Sequence, residues 1–441
     1  MGEGHTYSIT FPGGELIYQP LQGIIYDPAK QRSILLQSRR KSSAMEKMLA
    51  GKSINPDDYK PNCLTIYPSH QCNLNCTYCY IPQKEIYPDE YIRPEIVESG
   101  ARIVADNCMK RKLSFVVGFH GGNEPLLHQE KIEEYLTICR KVAVEHNLKF
   151  IPHCTTNGVI PEETAKWASK SFSRMTLSCD GPPDLNDAYR KDRNNNPTSH
   201  LVEGNARIFS QSLNGKDRFL IRCTISSLSV ERMVEIVRYF QTWGVKVIEF
   251  YPVFRSKTPT FPDDLIPDSR LFVYHFMKAK HYGMQNGMKI LFPGTRVYDF
   301  HSRFCMLLQD NLTLTPDGYI TNCYHCTQNY SGEENALLYG KYCNSDHVLE
   351  LDKEKINGLY KIYINELLEC KTCFNQFHCS HGCPEICPFE ERYTNTINPD
   401  CDMEKWISLA FIINQAGYIK EFEGTTECSD FFENVKYWKI N

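Results

Sequence analysis

The sequence predicts an α/β fold, a partial (β/α)6 barrel followed by a cysteine-rich C-terminal domain, and three observations predict it. Short β-branched or aromatic runs alternate with amphipathic stretches of helical length through the first two thirds of the chain. Polar and glycine-rich clusters stand at the ends of those runs. Eleven of the twenty cysteines fall between Cys305 and Cys428, beyond the point where the alternation stops.

Taken in order, strands are expected over 63–69, 113–119, 149–154, 174–179, 219–225 and 246–253. Helices are expected over 94–110, 129–146, 161–171 and 230–243, where apolar residues recur at three- and four-residue spacing. Six βα units in a row imply a parallel sheet that curls into part of a barrel. An open, doubly wound sheet has the same periodicity and is the alternative. In a barrel the polar strand ends collect at the carboxyl-terminal rim, where such folds build their sites. Around this barrel, taken as 59–298, the chain has a small N-terminal element, 1–58, with a hairpin through 16–37 and a helix through 42–50. The third segment, 299–441, is expected to be held by ligation more than by a wide core.

Composition excludes several roles. The 49 basic and 53 acidic residues nearly cancel, and no basic block stands out to neutralise a phosphate backbone. The N-terminus shows no charged segment followed by an apolar run, and no stretch of about 18 apolar residues occurs, so neither export nor a membrane anchor is expected. A cytoplasmic setting keeps thiols reduced, which makes metal ligation the leading use of the cysteines.

The first cysteine group is Cys72, Cys76 and Cys79, a C-x3-C-x2-C spacing directly after the first strand. Three thiolates on one tight loop can hold three irons of a 4Fe-4S cube and leave the fourth iron without a protein ligand. A zinc knuckle is the alternative for this spacing alone. Gly121-Gly122-Asn123-Glu124-Pro125 follows the second strand, Thr155-Thr156-Asn157-Gly158 the third and Ser178-Cys179-Asp180-Gly181-Pro182 the fourth.

With Tyr78 before the last cysteine and these motifs in this order, the chain resembles the radical S-adenosylmethionine (radical SAM) superfamily over about 64–253. The resemblance implies a partial (β/α)6 TIM barrel. It also implies a 4Fe-4S cluster whose open iron binds S-adenosylmethionine, cleaved by one electron to a 5′-deoxyadenosyl radical. By the same resemblance Gly121 and Gly122 cradle the cofactor and Glu124 accepts from its ammonium group. Asn157 and Ser178 touch the ribose or the methionine carboxylate, and Arg190 pairs with that carboxylate. Asn123 is one residue more than the family's GGEP motif has.

The C-terminal pattern is Cys305-x12-Gly318-x4-Cys323, then Cys370-x2-Cys373-x5-Cys379-x3-Cys383, then Cys401. It resembles the SPASM domain, an extension carrying two auxiliary 4Fe-4S clusters; zinc ribbons are the alternative. Carried over by position, Cys305, Cys323 and Cys383 would hold the first auxiliary cluster, and Cys370, Cys373, Cys379 and Cys401 the second. The first lacks a fourth ligand, so either its iron is open or Cys343, Cys326 or Cys387 supplies one. Cys63, Cys108, Cys139, Cys154, Cys179 and Cys223 are read as small buried hydrophobes.

Relatives with this domain act mostly on peptides or proteins. The resemblance therefore implies a maturase of ribosomally made peptides, with anaerobic sulfatase maturation as the alternative. Sulfatase-maturating relatives place an aspartate base after the cysteine matching Cys323, and here Tyr324 stands there, a poor base near neutrality. A flavodoxin- or ferredoxin-type reductant is the expected partner. Outside enzymology, an iron-sulfur electron carrier or a zinc-bound scaffold would share the cysteine richness, but an electron carrier gains nothing from an iron without a protein ligand.

Overall fold

The computed structural model describes residues 5–36, 56–79, 81, 91–213, 218–254, 262–300, 308, 310–324, 332, 335–364, 370–380, 401–418 and 434–440. It opens with an antiparallel meander, β1 (Thr6–Phe11), β2 (Gly14–Gln19), β3 (Ile24–Asp27) and β4 (Arg32–Leu35). The hairpin expected through 16–37 is part of this longer sheet. The helix expected over 42–50 lies outside the described residues.

The barrel follows as β5 (Cys63–Ile66), α1 (Pro94–Arg111), β6 (Phe115–Phe119), α2 (Gln129–Glu145), β7 (Phe150–Thr156), α3 (Glu162–Ser171) and β8 (Arg174–Ser178). It continues with α4 (Pro183–Tyr189), α5 (Ser199–Ser212), β9 (Phe219–Ile225), α6 (Met233–Gln241), β10 (Val247–Pro252), α7 (Ser269–Gln285) and β11 (Lys289–Leu291). Strands β5 to β10 lie side by side in chain order, all parallel, and β11 extends the row beyond β10. On the other edge β12 (Asn311–Leu314) runs parallel to β5. No ladder joins β11 to β12 among the described residues, so the barrel is partial.

The helices form where the sequence marks their ends. In α1, Pro94 sits in the first turn with Glu95, Lys110 and Arg111 complement the C-terminal dipole, and Lys112 closes the helix in a left-handed conformation. Its Ile96, Val97, Gly100, Ala101, Val104 and Cys108 form the buried stripe. Asp268 caps α7 by accepting from the N–H groups of Arg270 and Leu271. No helix of the described residues is long and apolar enough to cross a membrane.

The segment after residue 298 contains more sheet than expected. Strands β13 (Tyr319–Thr321), β14 (Gly340–Cys343) and β15 (Val348–Leu351) continue the barrel sheet antiparallel from β12. At three or four residues each, with no helix between them among the described residues, they give no alternating rhythm to read. After α8 (Lys353–Ile364) and α9 (Cys401–Gln415) comes β16 (Lys436–Ile440), which pairs with β1 and places Trp438 opposite Ser8. Strand pairing thus crosses both expected boundaries, at 58 and at 298. A second core, of Tyr7, Ile9, Leu16 and Tyr18 against Leu409, Ile412 and Ile413 of α9, seals the N-terminal sheet to the C-terminal helix.

Alternation along the parallel strands sorts the two faces of the barrel. Ile221, Cys223 and Ile225 of β9 and Ile248 and Phe250 of β10 are buried under the helices. The inner face carries Thr155, Thr176, Ser178, Arg222, Thr224, Glu249 and Tyr251, aligned strand to strand and half-buried. A polar, partly open interior is what a reaction chamber needs, and one glycine shapes it. A Cβ on Gly118 of β6 would lie 2.3 Å from Cε1 of the His153 ring on neighbouring β7. Gly118→Ala is therefore expected to cost about 1–3 kcal/mol by overpacking. In the same chain His153→Ala should restore most of that loss in a denaturant titration; no recovery would contradict the contact.

Candidate active site

Cys72, Cys76 and Cys79 stand on the loop after β5 as half-buried cysteines. The loop is irregular, so its backbone groups need partners from elsewhere. The segment at the end of α4 supplies them: Asn75 N–H donates to the Lys191 carbonyl at 2.8 Å and Thr77 N–H to that of Tyr189 at 3.1 Å. Arg193 Nε reaches the Cys72 carbonyl at 2.8 Å. Beyond β7 the loop is held by a side chain, with Asn73 Nδ2 donating to the Val159 carbonyl at 2.6 Å. Burial pushes the Cys72 thiol up to about 11 and the Cys76 thiol up to about 12, with Arg190 pulling Cys76 back. Metal binding at these sulfurs would therefore release protons.

Asn157 serves this loop directly. Its amide donates to Asn73 Oδ1 at 2.8 Å and to Cys72 Sγ at 3.7 Å, and its carbonyl accepts from Val159 N–H at 2.8 Å. In the structure this amide is engaged within the protein, with Asn73 and Cys72 in its reach.

Glu124 is likewise engaged within the protein. Its buried carboxylate accepts from Leu126 N–H at 3.0 Å, Thr156 Oγ1 at 2.8 Å and Asn157 N–H at 2.5 Å. Its own N–H donates to the Gln71 carbonyl at 2.9 Å. Burial pushes this carboxyl up to about 7 against those hydrogen bonds. Glu124 thus ties the loop after β6 to the end of β7 and to the residue before Cys72. The side-chain amide of Asn123, the extra residue, is buried and makes no hydrogen bond among the described residues. Gly121 and Gly122 form a close cradle, where added Cβ atoms would lie 2.5 Å from Tyr67 Cδ2 and 2.4 Å from Ile81 Cδ1.

Arg190 and Tyr78 meet in the structure, Nη1 donating to the tyrosine oxygen at 2.8 Å, and Tyr78 O–H donates in turn to Asp180. Burial opposes the Arg190 charge, but Tyr78, Cys76 and Asp180 around it more than offset that, so it stays a cation. Its Nε is buried without a hydrogen-bond partner among the described residues, which leaves one edge of the guanidinium for an acceptor from outside the chain. Ser178 ends β8 on the inner face beside Arg222.

Sequence reasoning left unassigned a polar layer deeper in the barrel. Arg222 lies 3.5 Å from Glu249 and over the Tyr251 ring. His120 and His153 are held well below the usual imidazole range by burial, reinforced by Arg222, and are neutral. Tyr324, next to Cys323, reaches this layer with its ring edge-on to His120, centroids 4.5 Å apart. Alternation on β7, β9 and β10 would have found the strand residues; the Tyr324 contact has no sequence signal.

Among the C-terminal cysteines, Cys370 and Cys373 share one turn, with Cys373 N–H on the Cys370 carbonyl at 3.1 Å. Cys401 begins α9 close enough to Cys373 for that thiol to help push it up, beneath a larger effect of burial. Cys379 donates to Glu404, one turn along α9, at 2.5 Å. Cys323 follows β13. Cys305, Cys383, Cys326 and Cys387 lie outside the described residues. Cys343 is at the wrong end of the ladder to join Cys323: Tyr319 faces Lys341 and Ile320 faces Gly340, so the two cysteines are separated by roughly 20 Å of strand. Cys108, Cys139, Cys154, Cys179 and Cys223 are buried, as read from the sequence, and Cys63 is half-buried.

These residues fit the cluster and cofactor that the motifs call for: three cysteines on a pinned loop, a glycine cradle and a buried guanidinium with an orphaned N–H. The loop depends on Glu124, and Glu124→Ala would leave three buried donors without an acceptor. It is expected to lower stability by about 2–4 kcal/mol and to reduce reconstituted iron. Unchanged thermal unfolding and iron content would contradict this role.

Residues 66–221 match the model described as Radical SAM superfamily. The cysteine-type anaerobic sulfatase-maturating enzyme of Clostridium perfringens (strain ATCC 13124) is 30% identical over 196 residues, 43% of this chain and 51% of that protein. The chain thus spans about half the length of that curated relative. The structure titled native anSMEcpe with bound AdoMet superposes with a TM-score of 0.60 at 22% identity, covering 82% of this chain and all of that one. Streptococcus suis SuiB bound to its precursor peptide SuiA matches at a TM-score of 0.50 and 14% identity, over 85% of this chain and 94% of SuiB. At such identities the structural likeness speaks to the fold, and together with the sequence match it identifies residues 66–221 as a radical SAM domain, in an α/β architecture shared with these enzymes.

Proposed function

We propose that this chain is a radical SAM enzyme that cleaves S-adenosylmethionine reductively and removes hydrogen from a peptide, most plainly as a maturase of a ribosomally made peptide. The observation that carries this reading is the pinned loop of Cys72, Cys76 and Cys79 together with the buried, unsatisfied Nε of Arg190. The cluster, when bound and reduced, supplies the single electron for the cleavage. The chain's own residues do the rest. Gly121 and Gly122 let the backbone approach the methionine moiety, Arg190 receives its carboxylate, and the inner wall offers polar side chains to the substrate. Ser178 is assigned to the same cofactor surface, and Tyr78 to the wall beside it.

Cys305, Cys323 and Cys383, and separately Cys370, Cys373, Cys379 and Cys401, are assigned to two auxiliary clusters. Of the candidates for the missing ligand, the position of Cys343 favours the other two or an open iron. A flavodoxin- or ferredoxin-type protein in the cytoplasm is the proposed electron source.

Formylglycine formation on a sulfatase is the second reading, favoured by the identity to the Clostridium perfringens enzyme. Tyr324 in the base position counts against it. Anaerobic reconstitution should give about twelve irons per chain if three cubes form, and dithionite should then release 5′-deoxyadenosine. Cys76→Ala should abolish that release while the C-terminal iron is kept; full release by the variant, or zinc alone in the wild type, would discard the proposal. Incubation with a cysteine- or serine-containing sulfatase peptide separates the readings: the maturase reading expects no aldehyde product, and an aldehyde would overturn it.

A further inference from the structure

The buried carboxylate of Asp180 has no part in the function proposed above, yet it sits one hydroxyl away from the cofactor cation. Asp180 is 2% exposed and Arg190 7% exposed, so neither charge is solvated by bulk water. A buried pair of this kind is normally in direct contact, because separation leaves both ions poorly compensated. Here Tyr78 stands between them. Asp180 Oδ1 accepts from Thr224 N–H at 2.9 Å, and its other oxygen accepts the Tyr78 hydroxyl proton. Its own N–H donates to Asn186 Oδ1 at 3.2 Å, so strand end, carboxylate and α4 form one unit. With the tyrosine proton committed to Asp180, only the oxygen lone pairs of Tyr78 face Arg190, and Nη1 takes one at 2.8 Å. The direction of every hydrogen bond in this chain is fixed by the carboxylate at its end. The guanidinium is then held at one corner while its buried Nε is left over. Tyr78 also lies between Cys76 and Cys79, so the same chain sets the cation against the cysteine loop.

We propose that Asp180 is a positioning residue for S-adenosylmethionine, acting through the Tyr78 hydroxyl to hold Arg190 toward the methionine carboxylate. The inference rests on the radical SAM reading. Asp180→Asn keeps the acceptor for Thr224 but turns an amide donor toward Tyr78, which loses the acceptor for its proton. Tyr78→Phe removes the link and leaves both charges in place. If the three residues act as one device, each change weakens binding and the pair together is no worse than the weaker-binding single.

The test is equilibrium dialysis of S-adenosylmethionine against the reconstituted, unreduced protein, with iron content and thermal midpoint measured alongside. Each single variant is expected to raise the Kd about tenfold at wild-type iron content, and the double variant by about the same factor. An unchanged Kd in Tyr78→Phe, or a double variant that multiplies the two single effects, overturns the coupling through Tyr78. Tyr78→Phe decides the matter by itself if Asp180→Asn does not fold. Failure of the wider reading is seen elsewhere, in a wild-type protein that binds no S-adenosylmethionine.

Discussion

The site depends on holding an irregular loop still. Residues 72–79 carry the three cysteines without a helix or strand of their own, and a loop of that kind orders only if others satisfy its backbone. The segment at the end of α4 does so through Tyr189, Lys191 and Arg193, while Asn157 and Val159 beyond β7 hold the loop by the Asn73 side chain. Both are fixed by the parallel sheet and its helices. The apolar outer faces of β7, β8 and β9, buried under the helices, thereby set where three sulfurs stand.

Buried polar groups then act as the site's internal scaffold. Glu124 takes three protein donors in a place with almost no water, where each unmade hydrogen bond would be costly. Asp180, Tyr78 and Arg190 form a second such unit on the far side of the loop. The two units differ in one respect: Glu124 is fully used by the protein, whereas Arg190 keeps a buried N–H unspent.

Much of this was legible in the sequence, and the rest was hidden for physical reasons. The strands from β5 to β10 and helices α1, α2, α3 and α6 follow from period and punctuation, whereas α4 and α5, between β8 and β9, were not read. The cysteine spacings and the strand-end motifs located the site. The hydrogen bonds that Asn157 and Glu124 make within the protein were not legible, since a motif names a residue and not the direction of its side chain. Strands β12 to β16 escaped because they are short, and the pairings of β12 with β5 and of β16 with β1 join residues hundreds of positions apart. Asp180 was in view within a glycine-proline turn, where an aspartate reads as turn chemistry. The contact of Tyr324 with His120 links a C-terminal cysteine segment to the barrel interior, and no local pattern announces it.

The central claim is that the cube held by Cys72, Cys76 and Cys79 keeps one iron for the cofactor. Electron-nuclear double resonance on the reduced protein, with S-adenosylmethionine labelled with nitrogen-15 at its amino group, tests it most directly. A hyperfine coupling to that nitrogen, lost in Cys76→Ala, is the result expected. A reduced cluster signal with no such coupling, at saturating S-adenosylmethionine, would contradict the account.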